Sequence, residues 1–458
     1  MPSMMYFSKP WFNITLLLAL SLFLCGPRFA RADNPIIQTD FTADPAPVIY
    51  NDRVYLFTSH DQDSATTWYN MKDWLLFSSA DMVNWQHHGS PMGLDTFSWA
   101  TVDAWAGQVV ERNGKFYYYV PINRGPTWAT FAIGVGVSDK IEGPYQDAIG
   151  GPLLANGQFD PTVYIDDDGQ AYLYWGNPDL YYVKLNEDMI SYSGDIVKVP
   201  LTTDGFGDRG NGQTMYQEGP WFYKQNGLYY MVYAAKCCPE NIQYSTSPSP
   251  TGPWTYGGIA MATGGTSDTN HVGIVEFKGK QYFFYHNDAL PGGQSYKRSV
   301  CVESFSYGAN GTIPQIPMTS EGASQIGSLD PFVRQEAETI AFSEGVEAQI
   351  TASGGIAVAF INSGDYIKVK GVNFGTRGAS QFRAAVSSAT NGGRIELRLD
   401  SRSGQLIGTC TIGNTGGWQT WSTITCPVRN AIGKHDLFFD YIGNGTEYLF
   451  NVDWWQFS

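Results

Sequence analysis

The sequence predicts an all-β protein, a five-bladed β-propeller followed by a β-sandwich. Three observations carry this reading. A polar turn followed by an alternating aromatic run recurs five times, anchored at Tyr55, Tyr117, Tyr172, Tyr229 and Tyr282, at spacings of 62, 55, 57 and 53 residues. A period of that size, filled with short strands and no long helical pattern, fits four-stranded blades around an axis. Glycine is the punctuation throughout, with 51 copies, as turn-rich all-β chains require. Beyond residue 320 the repeat stops, and short strands between Gly-rich turns fill roughly 120 residues, the pattern of a sandwich.

Residues 1–32 read as a signal peptide: Lys9 gives a positive start, residues 14–25 are apolar, and Ala30-Arg31-Ala32 is a small-x-small cleavage site. The apolar run is too short for a membrane span. A secreted, extracellular monomer with no membrane partner is expected. Cleavage removes Lys9, Arg28 and Arg31 and no acid, taking the net charge from −15 to −18. An acidic protein repels phosphate backbones, which argues against nucleic acid as a partner.

The propeller is expected over residues 33–320. In its repeats a second strand-like piece follows the aromatic run, at residues 75–79, 133–137 and 242–245. Turns then lead to Trp85, Tyr145 and Trp254, read as aromatics packed between blades. A linker is expected at 321–334 and the sandwich at 335–458. Export permits disulfides. Cys410 and Cys426 flank a Gly-rich turn and suit a bridge across adjacent strands, while Cys237-Cys238 form a vicinal bridge or remain thiols. No Cys/His spacing supports zinc.

Eleven or twelve residues before each anchor stand Asp44, Ala106 (beside Trp105), Asp160, Glu218 and His271. The innermost strand of each blade lines the axis, so these positions converge on one pocket. Each acid is followed at once or nearly so by Pro: Asp44-Pro45, Asp160-Pro161 and Glu218-Gly219-Pro220. One Asp-Pro is ordinarily a turn, whereas three acids at one phase of a repeat point to a site. Glycoside hydrolysis needs one carboxyl to protonate the leaving oxygen and another to activate water. A third can raise the donor's pKa by like-charge repulsion. Trp105 is a candidate wall for a sugar. Asp103 reads as a surface or hydrogen-bonding group and His286 as a packing residue.

Residues 33–320 resemble the glycoside hydrolase family 43 domain, on Asp44-Pro45-Ala46-Pro47, Phe159-Asp160-Pro161-Thr162 and Glu218-Gly219-Pro220. The invertase-type propellers have different acidic motifs. The resemblance implies Asp44 as general base, Glu218 as general acid and Asp160 as modulator of the acid. It also implies inversion, with base and acid about 6.5–9.5 Å apart. Asn270 and His271 match the family's axial segment, which implies substrate binding there and a water or a second calcium ion ordered near His271.

Residues 335–458 resemble a family 6 carbohydrate-binding module, a jelly-roll. The match is carried by Glu336-Ala337-Glu338, Asn362-Ser363-Gly364-Asp365-Tyr366-Ile367, residues 392–400, Gly416-Gly417-Trp418 and Phe450-Asn451-Val452-Asp453-Trp454. It implies Trp418 as a stacking plate, Asn451 as hydroxyl partner and Phe360 as the opposing plate where the family usually has Tyr. Glu336, Glu338 and Asp453 match its structural calcium ligands, hard oxygen donors suited to that ion. Trp421, Trp454 and Trp455 read as core.

The expected function is therefore release of α-L-arabinofuranosyl side chains from arabinoxylan, with xylan and its oligosaccharides as partners. The Asp-Pro-Ala-Pro opening, Met71-Lys72-Asp73-Trp74 and the attached module favour it. A β-D-xylosidase is the alternative, since both sugars present similar hydroxyls. A silent sugar-binding protein is disfavoured because all three acids are present.

Overall fold

The computed structural model describes residues 33–155 and 157–458, so the signal-peptide reading of 1–32 lies outside the described residues. Among these, the α-helix Thr203–Phe206 is a single turn, and strands dominate the rest. Five antiparallel sheets form the blades. Their inner strands are Phe41–Tyr50, Gln108–Arg112, Thr162–Ile165, Tyr216–Gln225 and Gly273–Phe277. Each pairs with a second strand that holds one of the five Tyr anchors.

Four of the blades have at least four strands, and the fifth has three. Beside its third strand, Ser299–Phe305, runs the N-terminal segment. Ile36 donates its N–H to the Val300 carbonyl at 2.9 Å, and the Asn34 side chain accepts the Val302 N–H at 3.0 Å. The start of the domain is thus fastened to its last blade. The aromatics after the turns are buried as expected. Trp85 meets Phe284 of the fifth blade edge-on, and Tyr145 meets Phe57 of the first.

The C-terminal region is a curled β-sandwich. One sheet contains Phe342–Glu344, Tyr366–Asn373, Lys434–Ile442, Gly393–Leu399 and Leu406–Ile412. The other contains Gly417–Ala431, Ala379–Ser388, Asn451–Phe457, Ile356–Ala359 and Glu347–Ile350. They meet where Gly408 pairs with Val428. Trp455 is buried in the aliphatic core between them, as the sequence suggested. Trp454 and Trp421 are not core. Both are only partly buried, and Trp454 lies beneath the guanidinium groups of Arg334 and Arg383. Alternation along the strand Asn451–Phe457 turns Trp454 outward when Trp455 faces in.

The segment expected as a linker is packed against both domains. Ala323, Gln325 and Leu329 are buried, and the Gln325 amide reaches Asp81 at 3.1 Å and the Lys370 carbonyl at 3.0 Å. The strand Thr339–Ile340 pairs with Trp85–His87, so the sandwich extends the first blade by one strand. Asn84 and the Lys370 backbone exchange two hydrogen bonds across the same interface. Asp33 lies 2.5 Å from Lys368 and 2.8 Å from Lys370.

Candidate active site

All five phase-equivalent positions, Asp44, Ala106, Asp160, Glu218 and His271, line one axial cavity of about 270 Å³. Trp105 and Asn270 line it too. The three acids are presented by irregular backbone. Asp44 and Asp160 have φ of 51° and 50°, a left-handed conformation that non-glycine residues seldom adopt. Asp44 lies within a register shift of its strand, and Glu218 sits between two. Such bulges re-aim a side chain out of the ladder, here towards the axis. Gly219, at φ 57°, sits under the His271 ring. A Cβ there would lie 3.1 Å from His271 Nδ1.

The electrostatics divide the acids. Asp44 is buried, which opposes its ionisation, but Arg298, then His271, outweigh burial and hold it down to about 2. The Arg298 guanidinium donates to Asp44 at 3.1 Å and grips both oxygens of buried Asp61 at 2.8 Å. His286 is a neutral packing group, as expected. Burial and Arg298 push it down to about 3. Its Nδ1 accepts the Asp44 N–H at 3.2 Å, which leaves the proton on Nε2, 2.9 Å from the Thr269 carbonyl.

Asp160 and Glu218 are shifted the other way. Burial raises both, and repulsion from Glu218 raises Asp160 further, while Asp44 raises Glu218. Asp160 accepts the Gly219 N–H at 3.1 Å, and the Asn177 side-chain amide donates to Glu218. Both therefore hold a proton above the ordinary carboxylate range. One pocket therefore holds an anionic carboxylate beside a protonated pair, the division of labour that acid–base hydrolysis needs.

Aromatics build the wall. Trp105 packs against Trp128 at 5.4 Å and Tyr69 at 5.4 Å. Trp128 and Trp68 are each about half exposed and meet edge-to-face at the pocket. Asp103 is not in the pocket. It is a buried hydrogen-bonding group, 3.1 Å from Lys72. Arg298, Asn177, Glu240, Trp68 and Trp128 were not singled out from sequence. The signals were slight: Arg298, next to Lys297 and ahead of an apolar strand, and a Gly-Asn-Pro after the third aromatic run.

Residues 32–313 match the model for glycosyl hydrolases family 43, more than half of the chain. The chain belongs to that family. Residues 336–458 match the carbohydrate binding module of family 6. This family 43 chain is 35% identical to an arabinoxylan arabinofuranohydrolase of Bacillus subtilis (strain 168), over 93% of this chain and 92% of the relative. It is 32% identical to an arabinoxylan arabinofuranohydrolase of Paenibacillus polymyxa, over 93% of this chain and 74% of the relative. The crystal structure of a family 43 arabinoxylan arabinofuranohydrolase from Bacillus subtilis, in complex with cellotetraose, superposes with a TM-score of 0.80. Identity there is 33%, with 93% of this chain and 97% of that chain covered.

In the sandwich, Trp418 and Asn451 are brought together: Asn451 Nδ2 donates to the Trp418 carbonyl at 3.2 Å. Phe360, at φ 56°, pairs edge-on with Tyr448, whose ring is about half exposed. Tyr448 thus supplies a phenol beside the Phe that stands where a Tyr was expected. Glu336, Glu338 and Asp453 interact electrostatically, but Arg334 lies between Glu336 at 2.7 Å and Asp453 at 3.7 Å. Glu338 is buried with Oε2 unpartnered. No trio of His, Cys, Asp or Glu among the described residues is gathered tightly enough to hold a metal. Near His271, the Arg298 guanidinium supplies the positive charge facing Asp44.

Proposed function

We propose that this protein removes α-L-arabinofuranosyl side chains from arabinoxylan with inversion of configuration. The observation that carries the mechanism is the opposite electrostatic treatment of acids in one pocket. Asp44, anionic under Arg298, takes the proton of an attacking water. Glu218, kept protonated by burial and by Asp44, gives its proton to the departing xylose oxygen, with Asp160 beside it as modulator of the acid. The aromatic wall of Trp105 offers an apolar face for the sugar, with Asn270 and His271 as polar partners. The cavity is near the small end of ligand sites, which suits one sugar unit. Both relatives named above span nearly the whole of this chain, which favours debranching over xylosidase action.

The sandwich is proposed to hold the polymer through Trp418, Asn451 and the Phe360–Tyr448 pair. Calcium binding at Glu336, Glu338 and Asp453 is proposed on donor chemistry and requires Arg334 to withdraw. A rise in melting temperature on adding calcium, reversed by chelator, is the expected sign. A bridge between Cys410 and Cys426, whose Cα atoms are 5.3 Å apart, and secretion after cleavage at residue 32 complete the reading. The deciding assay incubates the protein with arabinoxylan and follows the first product by proton NMR. Arabinose appearing first with inverted configuration is expected. Xylose as the main product, or retention, overturns the proposal.

A further inference from the structure

A fourth carboxyl stands behind the pocket wall. Glu240 closes the hairpin loop of the fourth blade, directly before the strand Asn241–Ser247, and is 2% exposed. Its backbone N–H donates to the Asp268 carbonyl at 3.0 Å, and its Oε2 accepts the Asn270 N–H at 2.9 Å. Oε1 is buried with no hydrogen-bond partner, and Glu218 is the acid that acts most strongly on this carboxyl. Asp160 adds its charge from the third blade, so an anion at Glu240 would face two further carboxyls with one N–H in support. Burial and repulsion from Glu218 keep this group protonated well beyond the usual carboxylate range.

A buried neutral carboxylic acid is a hydrogen-bond donor, and a donor needs an acceptor. Glu218 is the acceptor in reach, and it becomes a better one as it loses its proton. Its own surroundings call for such a donor: Asp44 repels the nascent carboxylate, while Asn177 and Arg298 favour it. We propose that Glu240 is a positioning residue for Glu218, a neutral acid donating a hydrogen bond to the Glu218 carboxyl and supporting the carboxylate formed as the leaving group is protonated. This rests on the reading of Glu218 as the general acid.

Two variants test it, Glu240→Met, which removes the donor, and Glu240→Gln, which keeps one. On arabinoxylan, Glu240→Met should lose about tenfold or more in kcat with little change in KM, and an aryl α-L-arabinofuranoside should lose much less. Its basic limb of kcat/KM should move to higher pH, because a lost donor to the carboxylate raises the acid's pKa. Glu240→Gln should recover most of the loss and leave the limb in place. A limb that moves to lower pH in Glu240→Gln would mean an anion at 240 and overturns the proposal. So does a Glu240→Met enzyme with the leaving-group dependence of the parent. If Glu240→Met does not fold, the limb of Glu240→Gln decides alone. Glu218→Gln is run alongside: its retaining arabinoxylan turnover would sink the acid assignment itself, whereas its inactivity beside an unaltered Glu240→Met sinks only the role of Glu240.

Discussion

Arg298→Met removes the positive charge that spans Asp61 and Asp44 while nearly keeping side-chain length. All three side chains are buried, and Asp61 would be left with the backbone N–H of residue 298 at 2.8 Å. Removing one partner of a buried ion pair costs about 3–5 kcal/mol, because the other charge stays behind. At roughly 2 °C per kcal/mol for a large domain, the unfolding midpoint should fall by about 6–10 °C. Asp44 changes as well. Its value of about 2 lies below the ordinary 3.8 because Arg298 leads the groups that outweigh burial. Without that charge, burial prevails and the carboxyl climbs above the ordinary range. The acid limb of kcat/KM on an aryl α-L-arabinofuranoside should therefore rise from about 2 to above about 4. A group whose folded pKa is depressed adds stability above its unfolded pKa and loses it as pH falls through the folded value. The stability gap between parent and variant should thus narrow between about pH 4 and pH 2. A folded Arg298→Met enzyme with an unmoved acid limb would refute Arg298 as the counter-ion that keeps Asp44 ionised.

Glu218→Gln should lose arabinoxylan turnover by about 10²–10⁴-fold, and an aryl substrate with a good leaving group should be partly spared. Asp44→Asn should inactivate the enzyme on both, since water activation is needed whatever leaves; near-normal aryl turnover would exclude Asp44 as base. Trp418→Ala in the whole chain should abolish most retardation in xylan affinity gels while leaving small-substrate kinetics unchanged, because stacking area is lost far from the pocket. Residues 335–458 cut free should melt below the sandwich in the intact chain by calorimetry. Thr339–Ile340 would lose its partner strand, and Lys370 would lose Asp33 and Asn84.

How far the site was legible depended on the repeat. A propeller is built by rotation, so equal phase in sequence becomes equal height on the axis. That is why Asp44, Ala106, Asp160, Glu218 and His271 could be placed in one pocket from spacing alone. Arg298, Asn177 and Glu240 share no such phase. They sit on loops and strand starts away from the inner strands, where residue spacing carries no positional information.

Period, aromatic alternation and turn residues are local properties, and they suffice for the all-β class, five blades, a sandwich behind them and the converging acids. Which acid is ionised is a matter of folding, since it depends on a guanidinium 254 residues away in the chain. The join between the domains arises in the same way. Thr339–Ile340 reads as nothing special until the exposed edge of the first blade supplies the backbone groups it pairs with. Ser- and Gly-rich composition suggested a tether at residues 321–334, but buried contacts from Ala323, Gln325 and Leu329 fasten it to both domains. Composition measures what a segment could do in water; the surfaces it meets decide what it does.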